Sequence, residues 1–320
     1  MRDRSWVLML LSLGVLLPGT VHAGVVWHVR ADSPPGGDGQ SWSGAFADLQ
    51  QALALAGAGD EVWVASGTYT PDGGNGDRNA AFWIPDGLTL RGGFTGTELS
   101  PDDRPASGSE VILSGEIGDS QTTLDNAYHV VRMEVFFGSA ALEQVTITGG
   151  HADGAGNDGQ GGGVRVRLSD VTFTRCRFVS NWAMEGGGLY STSGVPTLID
   201  CQFEDNFADG EGGGALLEDF ARVRGCGFTG NTAGFGGGLT LCCGDPLFTE
   251  VRVEDCDFVS NFADYGGGLF IPNGFARVVG SRFLNNGASR GGGVYNASAD
   301  GVLSNCFIAG GFADQVGAVM

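Results

Sequence analysis

The sequence predicts an all-β solenoid, a parallel β-helix in which about 25 residues form each turn. Three observations carry this prediction. A Cys recurs mostly at 25-residue intervals, a Phe lies two residues after the Cys in the regular copies, and an Asn lies three residues after that Phe. Repeats of about 20 to 50 residues are typical of solenoids. Gly supplies 58 of the 320 residues but follows no Gly-X-Y triplet, which excludes collagen.

The repeat aligns in columns of one residue type. The Cys column comprises Cys176, Cys201, Cys226 and Cys256, and it resumes at Cys306. The Phe column comprises Phe178, Phe203, Phe228, Phe258 and Phe283. The Asn column comprises Asn181, Asn206, Asn231, Asn261 and Asn286. A triple Gly opens the units, at 161–163, 186–188, 212–214, 236–238, 266–268 and 291–293. Because each Gly would cost about 1 kcal/mol in a helix interior, the units are predicted to be strands.

Coiling these strands buries the apolar columns and stacks like residues on like at about 4.8 Å per turn. We expect a Phe stack, a stack of buried free thiols and a hydrogen-bonded Asn ladder at a corner. The residue before the Cys, such as Asp200 or Gly225, is a turn former in five of six copies, which predicts a bend there. About three short strands per turn result. Cys242 and Cys243 lie outside the column, as a loop disulfide or as inert thiols.

The part before the regular repeats is predicted to be an N-terminal cap with irregular first coils, over residues 24–144. A capping helix is predicted over residues 45–56, and it would cover strand edges at the open end of the stack. Its apolar stripe comprises Phe46, Leu49, Leu53 and Ala56. The regular repeats occupy residues 145–320. The chain stops part-way through a unit, so we expect it to be truncated.

The first 23 residues have the form of a secretory signal peptide. Arg2 and Arg4 precede an apolar run over residues 6–17, and small residues lead up to Ala23. The run is too short for a membrane-spanning helix, and no later stretch approaches the necessary length. We therefore expect an exported chain, secreted or at the cell surface, with no transmembrane segment in the mature part.

Two sets of segments resemble known proteins. The segments at 38–50, 59–71 (GDEVWVASGTYTP), 92–98 and 112–115 resemble the start of bacterial secreted right-handed parallel β-helix proteins of the pectin-lyase-like kind. The later Phe-x-x-Asn and Gly-Gly-Gly-Val/Leu units resemble the paired motifs of chlamydial polymorphic outer-membrane proteins. The resemblance covers about residues 24–320. It implies a right-handed coil in a secreted or cell-surface setting, and little about chemistry, since this fold hosts both sugar-cleaving enzymes and adhesins.

The charged residues exclude several classes of function. The chain carries 17 basic and 37 acidic residues, a formal net charge of −20, and every basic residue is Arg. Without Lys, a lysine base, a Schiff base and a P-loop lysine are excluded. The overall negative field repels polyanionic backbones, so nucleic acid is not expected as a partner.

Four Arg residues form the first candidate ligand-binding set. Arg222, Arg252 and Arg277 occupy one repeat position on three consecutive turns, with Arg224 beside them. They should point outward about 5 Å apart, where guanidinium groups could bind uronate or sulfate. Alternatively, neighbouring carboxylates neutralise the row. These carboxylates are Glu218, Glu250 and Glu254.

Two further sets of residues are candidates. Tyr190, Phe270 and Tyr295 occupy the outward position of the strand after the triple Gly. Exposed there, they would suit stacking on sugar rings or docking of a partner; alternatively they only stabilise adjacent turns. Asp209 and Asp264 lie in an acidic row that could share Ca²⁺, the one cofactor considered, or that forms a solvated edge.

The sequence thus favours an exported β-helix that acts as a non-enzymatic, adhesin-like binding module. Its expected partner is an extracellular glycan or a surface protein of a host or neighbouring cell. The alternative is a polysaccharide lyase that uses an Arg base and calcium. No active site can be assembled from the residues, and the ligand stays undetermined.

Overall fold

The structure is the predicted coil of parallel strands. This computed structural model describes residues 24–218, 220–242, 251–297 and 301–313. The helical segments are α1 (Leu49–Leu53) and 3₁₀ turns at Trp42–Gly44, Pro101–Asp103 and Gly156–Gly159. The strands of the N-terminal part are β1 (Val26–Val29), β2 (Glu61–Ala65), β3 (Gly67–Tyr69), β4 (Phe82–Trp83), β5 (Thr89–Phe94), β6 (Val111–Ser114), β7 (Val131–Glu143), β8 (Thr146–Thr148) and β9 (His151–Ala152).

The regular coils follow from residue 164 onward. Their first strands are β10 (Val164–Thr174), β11 (Arg177–Val179), β12 (Trp182–Ala183), β13 (Leu189–Thr192), β14 (Thr197–Ile199), β15 (Gln202–Glu204), β16 (Phe207–Ala208), β17 (Ala215–Glu218), β18 (Arg222–Arg224), β19 (Gly227–Thr229) and β20 (Leu239–Cys242). The later strands are β21 (Val251–Glu254), β22 (Asp257–Val259), β23 (Phe262–Tyr265), β24 (Leu269–Asn273), β25 (Ala276–Val279), β26 (Arg282–Leu284), β27 (Gly287–Arg290), β28 (Val294–Asn296), β29 (Val302–Ser304), β30 (Phe307–Ala309) and β31 (Phe312–Ala313).

One turn holds four short strands on three faces. In the turn that begins at Leu189, β13 and β14 belong to the first face, β15 to the second face and β16 to the third face. Each strand pairs in parallel with its counterpart one turn away, so that Phe203 lies opposite both Phe178 and Phe228. The third-face strand is an addition to the three predicted, because a two-residue strand is too short to show alternation in the sequence.

Three positions in each regular turn have left-handed backbone, and two of them lie at the corners next to the Cys and Asn columns. The residue before the Cys column has positive φ in every regular copy, for example 53° at Asp200 and 65° at Gly225, which confirms the predicted bend. A second left-handed residue lies just before the Asn column, at the corner predicted for the ladder, with φ of 52° at Asp205 and 69° at Gly230. Asp, Asn and Gly tolerate this conformation better than most residues.

The triple Gly permits close stacking of turns. Its first member has positive φ, 67° at Gly212. Its second member faces backbone on the next turn: a Cβ on Gly213 would lie 2.4 Å from the Thr232 carbonyl oxygen and 2.5 Å from that of Gly237. These contacts explain why the column admits no side chain.

We expect Gly213→Ala to lower the midpoint of thermal unfolding, because two backbone segments would have to separate to admit the methyl group. Overpacking of this kind costs about 1 to 3 kcal/mol. The matched control is Gly57→Ala, where a Cβ would meet nothing within 4 Å. Equal melting midpoints for the two variants would contradict the stacking argument.

The interior consists of the predicted columns. The five stacked Phe rings have centroids 4.4 to 4.8 Å apart and interplanar angles of 2 to 5°. The thiols of Cys176, Cys201, Cys226 and Cys256 are buried and free, and Cys306 is half-buried. Burial raises the pKa of the Cys176 thiol. Buried free thiols pack as small apolar groups.

The Asn column is a continuous ladder of buried amides. In the first four members, Nδ2 donates to the Oδ1 of the Asn on the following turn at 2.9 to 3.0 Å. The same Oδ1 also accepts the backbone N–H of the Asn one turn before. Each Nδ2 further donates to a carbonyl on the preceding turn, such as that of Phe203 for Asn231, at 2.9 Å.

The N-terminal helix is shorter than predicted. Helix α1 spans Leu49–Leu53, because Phe46 instead pairs its backbone with His28 and Arg30, and the Asp48 carboxylate caps the helix at the Gln50 N–H. Leu49 and Leu53 are buried as predicted. In the part of the chain that the structure describes, no helix is long and apolar enough to cross a membrane.

Candidate binding site

The Arg row lies on the first face, on strands β18, β21 and β25. Arg222 lies directly opposite Arg252, and Arg252 opposite Arg277. The following residues of these strands, Val223 among them, point into the core. Alternation therefore turns the Arg side chains outward, about 4.8 Å apart along the axis, and all three are exposed.

A second outward column runs beside the row. Arg224 lies opposite Glu254, and the Glu254 carboxylate is 3.9 Å from Arg252 Nη1. Within the described ranges, neither Arg222 nor Arg224 has a carboxylate at salt-bridge distance. Of the other two carboxylates, Glu218 interacts with the Tyr190 hydroxyl, and Glu250 lies outside the described residues.

A groove of about 720 Å³ opens over these strands. Its lining comprises Asp170, Val195, Thr197, Leu198, Ile199, Phe220, Ala221, Arg222, Val223, Arg224, Arg252 and Glu254. Val195 and Phe220 come from the loops that join the two first-face strands of their turns. Asp170 Oδ1 accepts the Val195 N–H at 2.9 Å and so fixes one of these loops. The groove brings three of the four predicted Arg residues together, and Arg277 extends the row on the next turn.

The electrostatics of the groove are opposite in sign to those of the whole chain. Three Arg residues face two carboxylates, Asp170 and Glu254, in its lining, whereas the chain carries a formal net charge of −20. Guanidinium groups bind carboxylate and sulfate oxygens through paired hydrogen bonds. The arrangement can hold an extended anion.

The prediction of exposed aromatic residues on the first face is wrong for Tyr190 and Phe270, which are only 4% and 6% exposed; Tyr295 is half-buried. The residues before the triple Gly fold over them. The Phe235 ring lies 5.2 Å from that of Phe270, and Tyr265 lies 5.3 Å from Tyr295. These three residues stabilise neighbouring turns, the alternative that the sequence had left open.

Carboxylates also cover part of this surface. Burial raises the pKa of the Tyr190 hydroxyl, and the nearby Glu218 carboxylate adds to the shift. Burial raises the pKa of the Glu211 carboxyl as well, partly offset by the Cys242 thiol, whose Sγ lies 3.7 Å from Oε2. Cys243 lies outside the described residues. In the sequence, these covering side chains occupy the position directly before each triple Gly. That position is acidic in earlier copies, as at Glu211, and aromatic in later ones, as at Phe235.

The acidic row does not assemble a calcium site in the described part of the chain. Asp209 and Asp264 are both exposed and belong to turns separated by the turn of Gly234. No group of three His, Cys, Asp or Glu side chains that could hold a metal occurs among the described residues. The two aspartates therefore do not fit a shared ion as they stand.

The parallel strands, stacked turn on turn in three faces, define a class of protein, the parallel β-helices. The family described as "Right handed beta helix region" matches residues 135–312, more than half of the chain, and the chain belongs to this family. Among solved structures, "Crystal structure of pectate lyase Pel9A" is similar, with 14% sequence identity and a TM-score of 0.50. That similarity covers 91% of this chain and 80% of the other, and it shows the fold alone. No curated protein matches the chain.

Proposed function

We propose that the protein is an exported, non-enzymatic binding module whose Arg groove takes an anionic polysaccharide of the uronate or sulfate type. The observation that carries this proposal is the row of exposed Arg side chains on three consecutive turns, beside a groove, in a chain of net charge −20. Guanidinium groups spaced about 4.8 Å apart can contact successive charged groups of an extended chain. Export is proposed from the signal-like residues 1–23.

Binding rather than cleavage is proposed because one carboxylate of the groove holds a loop, the other lies beside an Arg, and guanidinium groups carry permanent charge. Asp170 holds the Val195 N–H, and Glu254 lies beside Arg252. A general base needs a free acceptor within reach of the substrate proton. The groove instead presents fixed positive charge. This charge stabilises a bound polyanion equally before and after a reaction, so it favours binding and does not accelerate cleavage.

The test compares two double variants in binding to polygalacturonate, dextran sulfate and neutral dextran. We expect Arg222→Gln/Arg252→Gln to weaken polyanion binding at least about tenfold, since two charge-assisted contacts are lost. The control Arg167→Gln/Arg175→Gln removes two exposed Arg residues elsewhere and should bind like the wild type. Titration calorimetry at two salt concentrations gives the affinities, which should fall as salt rises.

Two results would overturn the proposal. One is equal affinity of the groove variant and the wild type for both polyanions, or equal binding of neutral dextran. The other is release of unsaturated uronate product from polygalacturonate, with and without added calcium, which would establish the lyase alternative.

A further inference from the structure

A column rich in aromatic residues runs along the third face, at the repeat position that follows the Asn column. Parallel pairing places its members on consecutive turns. The column, called the aromatic stripe below, comprises His151, Trp182, Phe207, Thr232, Phe262, Gly287 and Phe312. It lies away from the Arg groove, which is on the first face, so the inference drawn from it is independent of the proposed function.

The stripe presents three exposed Phe side chains, and Thr232 separates the part with Trp182 and Phe207 from the part with Phe262 and Phe312. Phe207, Phe262 and Phe312 are 37%, 42% and 59% exposed. The Trp182 ring stacks on His151 at 4.7 Å and on Phe207 at 6.2 Å. At the Gly287 turn the neighbouring rings of Phe262 and Phe312 lean together, with centroids 6.2 Å apart, and close the gap. Large apolar side chains exposed in a row mark interaction surfaces more often than isolated ones do.

The orientation of the rings indicates the kind of partner. The Trp182 ring lies within 12° of parallel to the rings of His151 and Phe207, so ring faces meet each other and ring edges meet solvent. Sugars stack on ring faces, and both faces of Trp182 are occupied by neighbouring rings. Edges offer apolar contact to side chains instead. The border of the stripe is acidic, since Asp209 and Asp264 lie two residues after Phe207 and Phe262 and are exposed.

The size of the stripe distinguishes a short segment from a second copy of the chain. Seven turns span about 29 Å along the axis, so a strip roughly 10 Å wide offers about 300 Å², against about 800 Å² per partner in a stable interface. Pairing two copies would also bring the acidic borders of two chains of net charge −20 together. An extended segment of about nine residues matches the length.

We propose that the aromatic stripe binds an extended basic polypeptide segment in which apolar residues alternate with Arg or Lys. The apolar side chains lie against the ring edges of Trp182, Phe207 and Phe262. The Arg or Lys side chains alternate to the other side of the extended segment, and their length lets them reach past its edge to the carboxylates of Asp209 and Asp264 at the border.

The test uses a nine-residue peptide of alternating Leu and Arg, labelled for fluorescence anisotropy. We expect Phe207→Ser/Phe262→Ser to bind it at least about tenfold more weakly than the wild-type protein. The control Leu99→Ser/Leu124→Ser removes two exposed apolar side chains elsewhere, 91% and 66% exposed, and should bind normally. Asp209→Asn/Asp264→Asn should weaken binding and reduce its salt dependence. A peptide of alternating Ser and Arg should bind the wild type about tenfold more weakly.

Equal affinity of the Phe double variant and the wild type, both shown to be folded by circular dichroism, would overturn the proposal. So would equal binding of the Ser–Arg peptide, which would indicate charge alone. Sedimentation that shows a wild-type dimer lost in the Phe variant would assign the stripe to a second copy. Vesicles of phosphatidylcholine bound through the same residues would assign it to a membrane. Polyanion binding by the Phe variant should be unchanged, which separates this test from that of the groove.

Discussion

Asn231→Ala is expected to lower the free energy of unfolding by about 4 kcal/mol. The Asn231 side chain, fully buried, takes part in four hydrogen bonds. Its Oδ1 accepts from the backbone N–H and the Nδ2 of Asn206, each at 3.0 Å, and its Nδ2 donates to Asn261 Oδ1 and to the Phe203 carbonyl, each at 2.9 Å. Removing one partner leaves the others buried and unsatisfied, at about 1 kcal/mol or more each.

Chemical denaturation of the purified protein measures this loss, with Asn273→Ala as the matched control. Asn273 also lies in a strand, but it is exposed. Asn231→Asp provides a second comparison, because it keeps the shape but turns a donor into an acceptor. Burial should raise the pKa of the introduced carboxyl above its unfolded value, so the stability of this variant should fall as the pH rises past about 4. Similar losses at positions 231 and 273 would contradict the ladder argument.

Phe228→Ala is expected to cost about 3 to 5 kcal/mol, the range for a large cavity in a core. The Phe228 ring is fully buried, between Phe203 at 4.7 Å and Phe258 at 4.8 Å. Both neighbours would lose a stacking partner. The ladder and the backbone of the turn stay intact, so the variant should remain folded at low temperature.

The control for this prediction is Phe207→Ala, where the ring is 37% exposed and lies on the third face. It should cost less than about 1 kcal/mol, as surface substitutions do. Calorimetric melting of both variants gives the comparison. A smaller loss at Phe228 than at Phe207 would show that the interior column contributes little to stability.

The sequence predicted the parts of the fold in which one residue type recurs at one place. Phe228 and Asn231 were assigned to their columns because like residues must stack in a coil of constant period. The left-handed backbone at the corner of the Asn column is not predicted, because Ser, Asp, Gly and Asn all occupy the position before the column, as at Ser180, Asp205 and Gly230. Tolerance of positive φ is a shared backbone property, which residue identity alone does not reveal.

The candidate site was predictable in part, for the same reason. The register of Arg222, Arg252 and Arg277 follows from the period. The wall of the groove cannot be predicted from the period, since Val195 and Phe220, which line it, lie in loops of unequal composition. The burial of Tyr190 was also beyond reach, because the side chains that cover the first face come from the corner before the triple Gly. That corner folds back onto the strand only in three dimensions.

The constant register of the turns has a consequence for how such a molecule can diversify. The regular turns meet through columns of like residues, so the 25-residue unit of residues 201–225 is interchangeable with the unit before it, residues 176–200. Duplicating or deleting a whole unit would leave every interior contact of the same type. The inward residues are thus held constant, whereas the outward ones, in the Arg row and the aromatic stripe alike, can change turn by turn. The outward surface can therefore become longer, shorter or different in composition while the core stays the same.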